Sequence, residues 1–289
     1  MRFAAIGIAC ILCGQDFSGT QLEKAAGGLH FTEGPLWSKA AAALLFCDVP
    51  TSTIHAFLPG KGVGKYRENM GGATALAYDP DGHLVVAESK ARRIVRLYPN
   101  DEEKIDILAE RFEGKRLNGP NDLAIRKDGQ LYFTDPAFGS QSDRRELDFH
   151  GVYHLTPKGE LTVIAKPKGR PNGIVLSPNG KILYVTNSDE RKVYAYDLDG
   201  RGKAGNERVL LQDIDGVPGG IRTDEKGNLY VAAKNVLIFS PTGTLLHTIH
   251  MGEKPSNLAF GDEDRMTLFI TAKTGVYRAR MKVRGAVGE

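Results

Sequence analysis

TEGPLWS (32–38), ATALAYD (73–79), PNDLAIR (120–126), PNGIVLS (171–177), PGGIRTD (218–224) and PSNLAFG (255–261) are six versions of one phrase. Aligned on their apolar cores, they place Glu33, Thr74, Asn121, Asn172, Gly219 and Ser256 at one equivalent position, spaced 41, 47, 51, 47 and 37 residues apart. A period of roughly 40–50 residues marks a repeat architecture, and four short strands per repeat predict a β-propeller. Behind the phrases come PDGHLVVAES (80–89), KDGQLYFTDP (127–136), SPNGKILYVTNS (177–188) and DEKGNLYVAAK (224–234). Asp-Gly and Asn-Gly predict type I′ hairpin turns, and the β-branched and aromatic residues after them predict strands. A third strand follows in every repeat, such as RRIVRLYPN (92–100), and an outer fourth is legible in repeats two to five. GKGVGK (60–65) lacks phosphate-loop spacing and reads as a hairpin between blades. The last repeat runs out near Lys282, while residues 20–26 stand unused ahead of Glu33. The expected fold is all-β: one six-bladed β-propeller over 20–289, with four-stranded blades and the ring closed by an N-terminal strand at 20–26, which removes an open edge.

The 289 residues are 41% hydrophobic and 25% charged, ordinary for a soluble globular chain. Its 38 basic and 35 acidic residues alternate without a basic block, so nucleic acid is not an expected partner. A small-molecule substrate is expected, with no membrane span and a monomer favoured. Residues 1–19 read as a leader: Met1-Arg2, then an apolar run over 3–13 too short to cross a bilayer. A secreted or periplasmic location follows from that reading. Cys10 and Cys13 fall in the leader, and Cys47 reads as a small buried hydrophobe.

In a propeller, equivalent positions of all blades ring the central channel. The ends of the second strands, at Asp48, Glu88, Asp135, Asn187, Ala233 and Thr271, are expected beside the same mouth. Carboxylate and amide oxygens around a cavity suit a hard cation, with Glu33 supplying charge and Asn121 and Asn172 neutral oxygens. Asn before Gly or Asp is also good turn chemistry, so both asparagines have a purely conformational alternative. No His/Cys cluster has zinc spacing. The charged run SDRRELD (142–148) is either a solvated face or a lid over the mouth, with Phe138 and Phe149 as apolar walls.

FTEGPLW, GKRLNGPNDLAIRKDGQLYFTDPAFG, ELDFHGVYHLTPKGEL and RPNGIVLSPNGKILYVTNS resemble the gluconolactonase, senescence-marker-protein and luciferin-regenerating-enzyme family across nearly all of 30–282. The resemblance implies one divalent cation in the channel, Ca²⁺ first and Zn²⁺, Mg²⁺ or Mn²⁺ as alternatives, and hydrolysis of a sugar lactone or other cyclic ester. It implies Glu33 and Asn172 as metal residues and Asn121 as facing both metal and substrate. The family's remaining ligand, an aspartate also held to be the general base, corresponds to Gly219 in Val217-Pro218-Gly219-Gly220. Three readings follow. Another carboxylate, Asp135, Asp48 or Asp215, takes over; or a different metal-assisted reaction uses the space left at Gly219; or the chain binds a ligand without catalysis. Asp135 is the candidate for proton transfer, and Asn118 and Arg116 are candidate contacts to substrate hydroxyls or carboxylate.

Overall fold

The computed structural model describes residues 17, 19–99 and 101–287. Six four-stranded antiparallel sheets form a ring, each sheet one blade. From the inside outward, blade one is Thr32–Ser38, Ala43–Asp48, Thr53–Leu58 and Gly62–Arg67, and blade two is Ala73–Tyr78, Leu84–Glu88, Arg93–Tyr98 and Asp101–Ala109. Blade three is Leu123–Ile125, Leu131–Asp135, Gly151–Leu155 and Leu161–Ala165, preceded by a short hairpin, Arg111–Phe112 with Lys115–Arg116. Blade four is Pro171–Leu176, Ile182–Asn187, Lys192–Leu198 and Ala204–Leu211; blade five is Ile221–Thr223, Leu229–Ala232, Val236–Phe239 and Leu245–Ile249. Blade six is Pro255–Gly261, Thr267–Ala272 and Gly275–Arg280, and its outer strand is Leu22–Ala26 from the other end of the chain.

Burial grades outward through each blade. The second strand of blade one, ALLFCD, is buried at every position, whereas its outer strand, GVGKYR, is almost wholly exposed. Strands sandwiched between blades need apolar side chains on both faces, so they read as continuous hydrophobic runs. The core lies between blades: Leu36, Leu45 and Ile54 of blade one pack with Leu76, Val86 and Val95 of blade two. Cys47 is fully buried there, and burial pushes its thiol far above the usual range, so it behaves as the small hydrophobe expected.

The structure corrects several details. The Asp-Gly turns are not type I′. Asp79 N–H donates to His83 O and Gly82 N–H to Asp79 O, giving a three-residue loop in which only the glycine has positive φ. Asp79 Oδ1 accepts from both Asp81 N and His83 N, which fixes the first turn and leaves the left-handed position to Gly82. Gly62–Arg67 is the outer strand of blade one, so GKGVGK begins a strand rather than joining blades. In blade six the residue paired opposite the strand start is Ala272, not Thr271. The expected export signal lies outside the described residues except at its end. There Phe17 is 7% exposed and stacks on His247 at 5.2 Å, so the packed fold reaches back beyond residue 20. No helix among the described residues is long and apolar enough to cross a membrane.

Candidate functional site

The inner strand of each blade breaks its ladder at the position aligned in the sequence. Register shifts fall between Glu33 and Leu36, Ala73 and Ala75, Pro171 and Ile174, and Pro255 and Asn257. Blades three and five show the same break in their hydrogen bonds. Asn121 N–H donates to Thr134 O (2.9 Å) while Thr134 N–H donates to Asp122 O (3.0 Å), so two residues oppose one. Gly219 and Gly220 stand in the same relation to Ala232. Such a bulge frees a residue from the ladder and re-aims its side chain.

Glu33, Asn121 and Asn172 are all half-buried at these bulges. Asn121 Nδ2 donates to Asn172 Oδ1 at 2.8 Å, and Asn172 Nδ2 donates to Ser188 Oγ at 3.0 Å. Ser188 Oγ in turn donates to Pro218 O, which fixes the Asn172 amide with its oxygen toward Asn121. Glu33 Oε2 accepts from Gly34 N at 3.2 Å. Burial, with the charge of Asp122 second, pushes its carboxyl up to about 8, against the opposing pull of Gly34 N–H, the Asn257 amide and Arg222. Thr74 and Ser256 are buried, and their hydroxyls are spent on the backbone. Thr74 Oγ1 donates to Pro120 O and Ser256 Oγ to Thr32 O, tying each blade to the next.

Asp122 is the site residue that sequence reasoning missed. It is fully buried, yet its Oδ2 lies 3.3 Å from Ile174 N of blade four, 3.5 Å from Arg222 Nη1 of blade five and 3.3 Å from Asn257 Nδ2 of blade six. Blades three and six lie opposite each other in a six-membered ring, so this side chain reaches the axis. Burial raises its carboxyl, and Arg222 is the largest opposing influence. Period-two counting puts Asn121 and Asp122 on opposite faces, but the bulge makes adjacent residues face inward. The available signal was PND itself, a carboxylate directly after a ring position.

The other expected residues divide. Asp135 is fully buried, and its two oxygens accept from Asn118 N (2.8 Å) and Gly119 N (2.7 Å), so it braces the loop that delivers Asn121. Burial pushes its carboxyl up to about 7 against those two donors. Asn118 is also fully buried, its Nδ2 bound to Asp135 O and Phe149 O. Arg116 Nη2 donates to Ala91 O, which fastens this loop to blade two. Phe149 packs edge-on to Phe112 within the core of blades two and three, beneath Lys166. Phe138 lies under the Arg170 guanidinium, 4.8 Å from ring centroid to charge, and Arg170 is held by Asp189. The charged run begins in a 3₁₀ turn, Gly139–Arg144, secured to blade two by Gln141 Nε2 on Ser89 Oγ.

Of the substitute carboxylates, Asp48 accepts from Phe31 N and faces the His30 ring, so it holds its own entry loop. Asp215 is exposed beside Lys234. Gly219 offers no open space. A Cβ there would stand 2.6 Å from Ser256 O, while its own carbonyl accepts from Thr186 Oγ1 at 2.6 Å. A Cβ on Gly220 would fall 1.9 Å from Asn257 Oδ1, in the space that the Asn257 amide occupies. The acidic cluster Asp79–Asp81–His83 belongs to a hairpin turn, and Arg96 already neutralises Asp79 at 2.8 Å.

Residues 31–274 match the family described as SMP-30/gluconolactonase/LRE-like region. A gluconolactonase of Zymomonas mobilis is 35% identical over 92% of this chain and 83% of its own length. The structure of a gluconolactonase from Xanthomonas campestris superposes with a TM-score of 0.85 at 28% identity, covering 94% of this chain and 93% of that one. A regucalcin from Agrobacterium tumefaciens, described as a calcium-binding protein, shares the fold with a TM-score of 0.74 at 18% identity, over 89% and 92% of the two chains. With its six blades and the matched stretch running from blade one into blade six, the chain belongs to the SMP-30/gluconolactonase/LRE-like family.

Proposed function

We propose that this chain is a hydrolase of a sugar lactone or related cyclic ester, acting at the channel mouth with a divalent cation held by Glu33, Asn121 and Asn172. The observation that supports the reading is that Glu33, Asn121 and Asn172 stand at equivalent bulges of their inner strands, half-buried, with the two amides hydrogen-bonded to each other. The relatives named gluconolactonase supply the substrate class. The donor set fits such an ion: every candidate ligand atom is oxygen, which suits Ca²⁺ first and Mg²⁺, Mn²⁺ or Zn²⁺ after it. When bound, a divalent cation polarises an ester carbonyl and lowers the pKa of water.

The residues of the chain do the positioning. Glu33 would bring the negative charge once a cation displaces its proton, since burial otherwise favours the neutral carboxyl. Ser188 and Pro218 orient the Asn172 amide. Asp135 fixes loop 118–119 and so places Asn121, a positioning role in place of the proton transfer first expected of it. Phe138, with the Arg170 guanidinium 4.8 Å over its ring, is the aromatic contact this reading assigns to the sugar ring. The location outside the cytoplasm remains part of this proposal on the strength of the leader alone.

The test is hydrolysis of a panel of aldonolactones and simple γ- and δ-lactones by chelator-treated protein, followed by proton release, before and after adding each cation. Turnover restored by one divalent cation, and abolished in Glu33→Gln, is expected. No turnover across the panel with a cation demonstrably bound would overturn the reaction class.

A further inference from the structure

Arg222 sets a guanidinium among the inner strands, beside Asp122. Arg222 leaves the inner strand of blade five three residues after Gly219 and is 7% exposed. Its Nη1 donates to Ile221 O at 2.7 Å and stands 3.5 Å from Asp122 Oδ2. It also borders a narrow apolar chamber of about 40 Å³, walled by Leu36, Leu76, Leu123, Ile174 and Phe260. An arginine against such walls is held there by the charges beside it, because an unpaired buried cation is strongly disfavoured.

Blade five therefore treats the channel differently from blades one and three. Blade one contributes the carboxylate of Glu33 and blade three that of Asp122. Blade five places no side chain at position 219 and a guanidinium at 222. With both carboxylates ionised, one negative charge remains around the cation seat where two would stand without Arg222. Attraction for a divalent ion scales with that residual charge and is strong where water is largely excluded.

We infer that Arg222 is the charge-balancing residue of the mouth, which sets how tightly Glu33, Asn121 and Asn172 hold their cation. This rests on the proposed cation seat. Blade five weakens binding twice over, once by lacking a carboxylate and once by facing Asp122 with a cation, and the result is a reversibly occupied site. Arg222 acts through Asp122 and Glu33, and it touches neither substrate nor ion.

The experiment is calorimetric titration of CaCl₂ into chelator-stripped full-length protein: wild type, Arg222→Gln, Arg222→Lys, the pair Asp122→Asn/Arg222→Gln, and Glu33→Gln. Arg222→Gln is expected to bind Ca²⁺ on the order of tenfold more tightly. Arg222→Lys and the charge-restoring pair should stay near wild type, and Glu33→Gln should lose binding. Unchanged affinity in Arg222→Gln, with Glu33→Gln inactive in binding, overturns the inference and leaves the seat standing. If Arg222→Gln gives no cooperative melt, the pair decides: wild-type affinity supports charge balance, and lost affinity overturns it. Absence of binding of any divalent cation by wild type and Arg222→Gln alike would remove the seat and the inference together.

Discussion

Blades three and five share one backbone and carry opposite contents. In both, the bulge is drawn by the same pair of hydrogen bonds, Asn121 and Asp122 against Thr134 in one, Gly219 and Gly220 against Ala232 in the other. Blade three fills its two bulge positions with an amide that binds Asn172 of blade four and a carboxylate that reaches blades four, five and six. Blade five leaves both empty, and its neighbours occupy the room: Ser256 O closes on Gly219 and the Asn257 amide on Gly220. The fold requires the bulge but not its side chains. Chemistry is thus written blade by blade onto a repeated backbone, and an empty position has a structural use of its own.

The comparison breaks first at the carboxylates. Removing the mouth charge with Glu33→Gln should cut lactone turnover on the order of 10²–10³-fold, with little change in melting temperature, because the side chain is half-exposed. Wild-type turnover in that variant would mean the mouth is not the reaction site. Next come the glycines. Gly219→Asp, which adds the carboxylate that the family resemblance implies at this position, should destabilise by about 1–3 kcal/mol, since its Cβ meets backbone rather than a flexible side chain. A stable Gly219→Asp protein with raised turnover would show that the Ser256 carbonyl yields and that blade five can be refilled. By contrast, Asp122→Gly should leave the bulge of blade three in place, as Gly220 does in blade five; circular dichroism and a cooperative melt would check it.

The smallest expected effect lies at the ring closure. Glu253 binds Lys24 and accepts from Tyr277 and Thr274, and these partners, Lys24 first, hold its carboxyl down to about 2. A carboxyl depressed in the folded state adds stability above its ordinary value of 4.5, and that contribution is lost as pH falls toward 2. Because Glu253 is only partly buried and its Lys24 partner is exposed, the gain is modest. Melting temperature should fall more steeply in wild type than in Glu253→Gln between about pH 4.5 and 2. Parallel curves would show that the pair adds nothing to closure.

Much of this was legible in the chain. Six phrases at a regular period carried the blade count, and the unused segment ahead of Glu33 carried the closing strand, found at Leu22–Ala26. Alignment of the repeats put Glu33, Asn121 and Asn172 at one equivalent position, and the structure has each at the bulge of its inner strand. What was not legible depended on contacts between blades. Asp122 drew no attention, because counting by twos assumes an unbroken ladder and puts it on the opposite face from Asn121. Asp135 and Asn118 looked like site residues because polar groups near a channel invite that reading, yet they bond to each other's loop. Gly219 looked like a vacancy because a sequence does not show that Ser256 O fills it.

The strand Leu22–Ala26 also orders events in time. Most pairs within a blade join neighbours along the chain, but the Glu23–Arg278 ion pair spans 255 residues. Contacts of that separation form slowly, because the loop between them must be closed before they return any energy. During synthesis the early blades can assemble as they emerge, while the third strand of blade six does not yet exist to receive Leu22–Ala26. Until it does, Leu22–Ala26 has no partner strand, and Leu44, Phe46 and Phe57 of blade one lack the cover that Ala259, Phe269 and Val276 of blade six later give them, so an unpaired strand and an apolar face are both open to other chains. The strand that completes the last blade is thus the one left unpaired longest in its precursor.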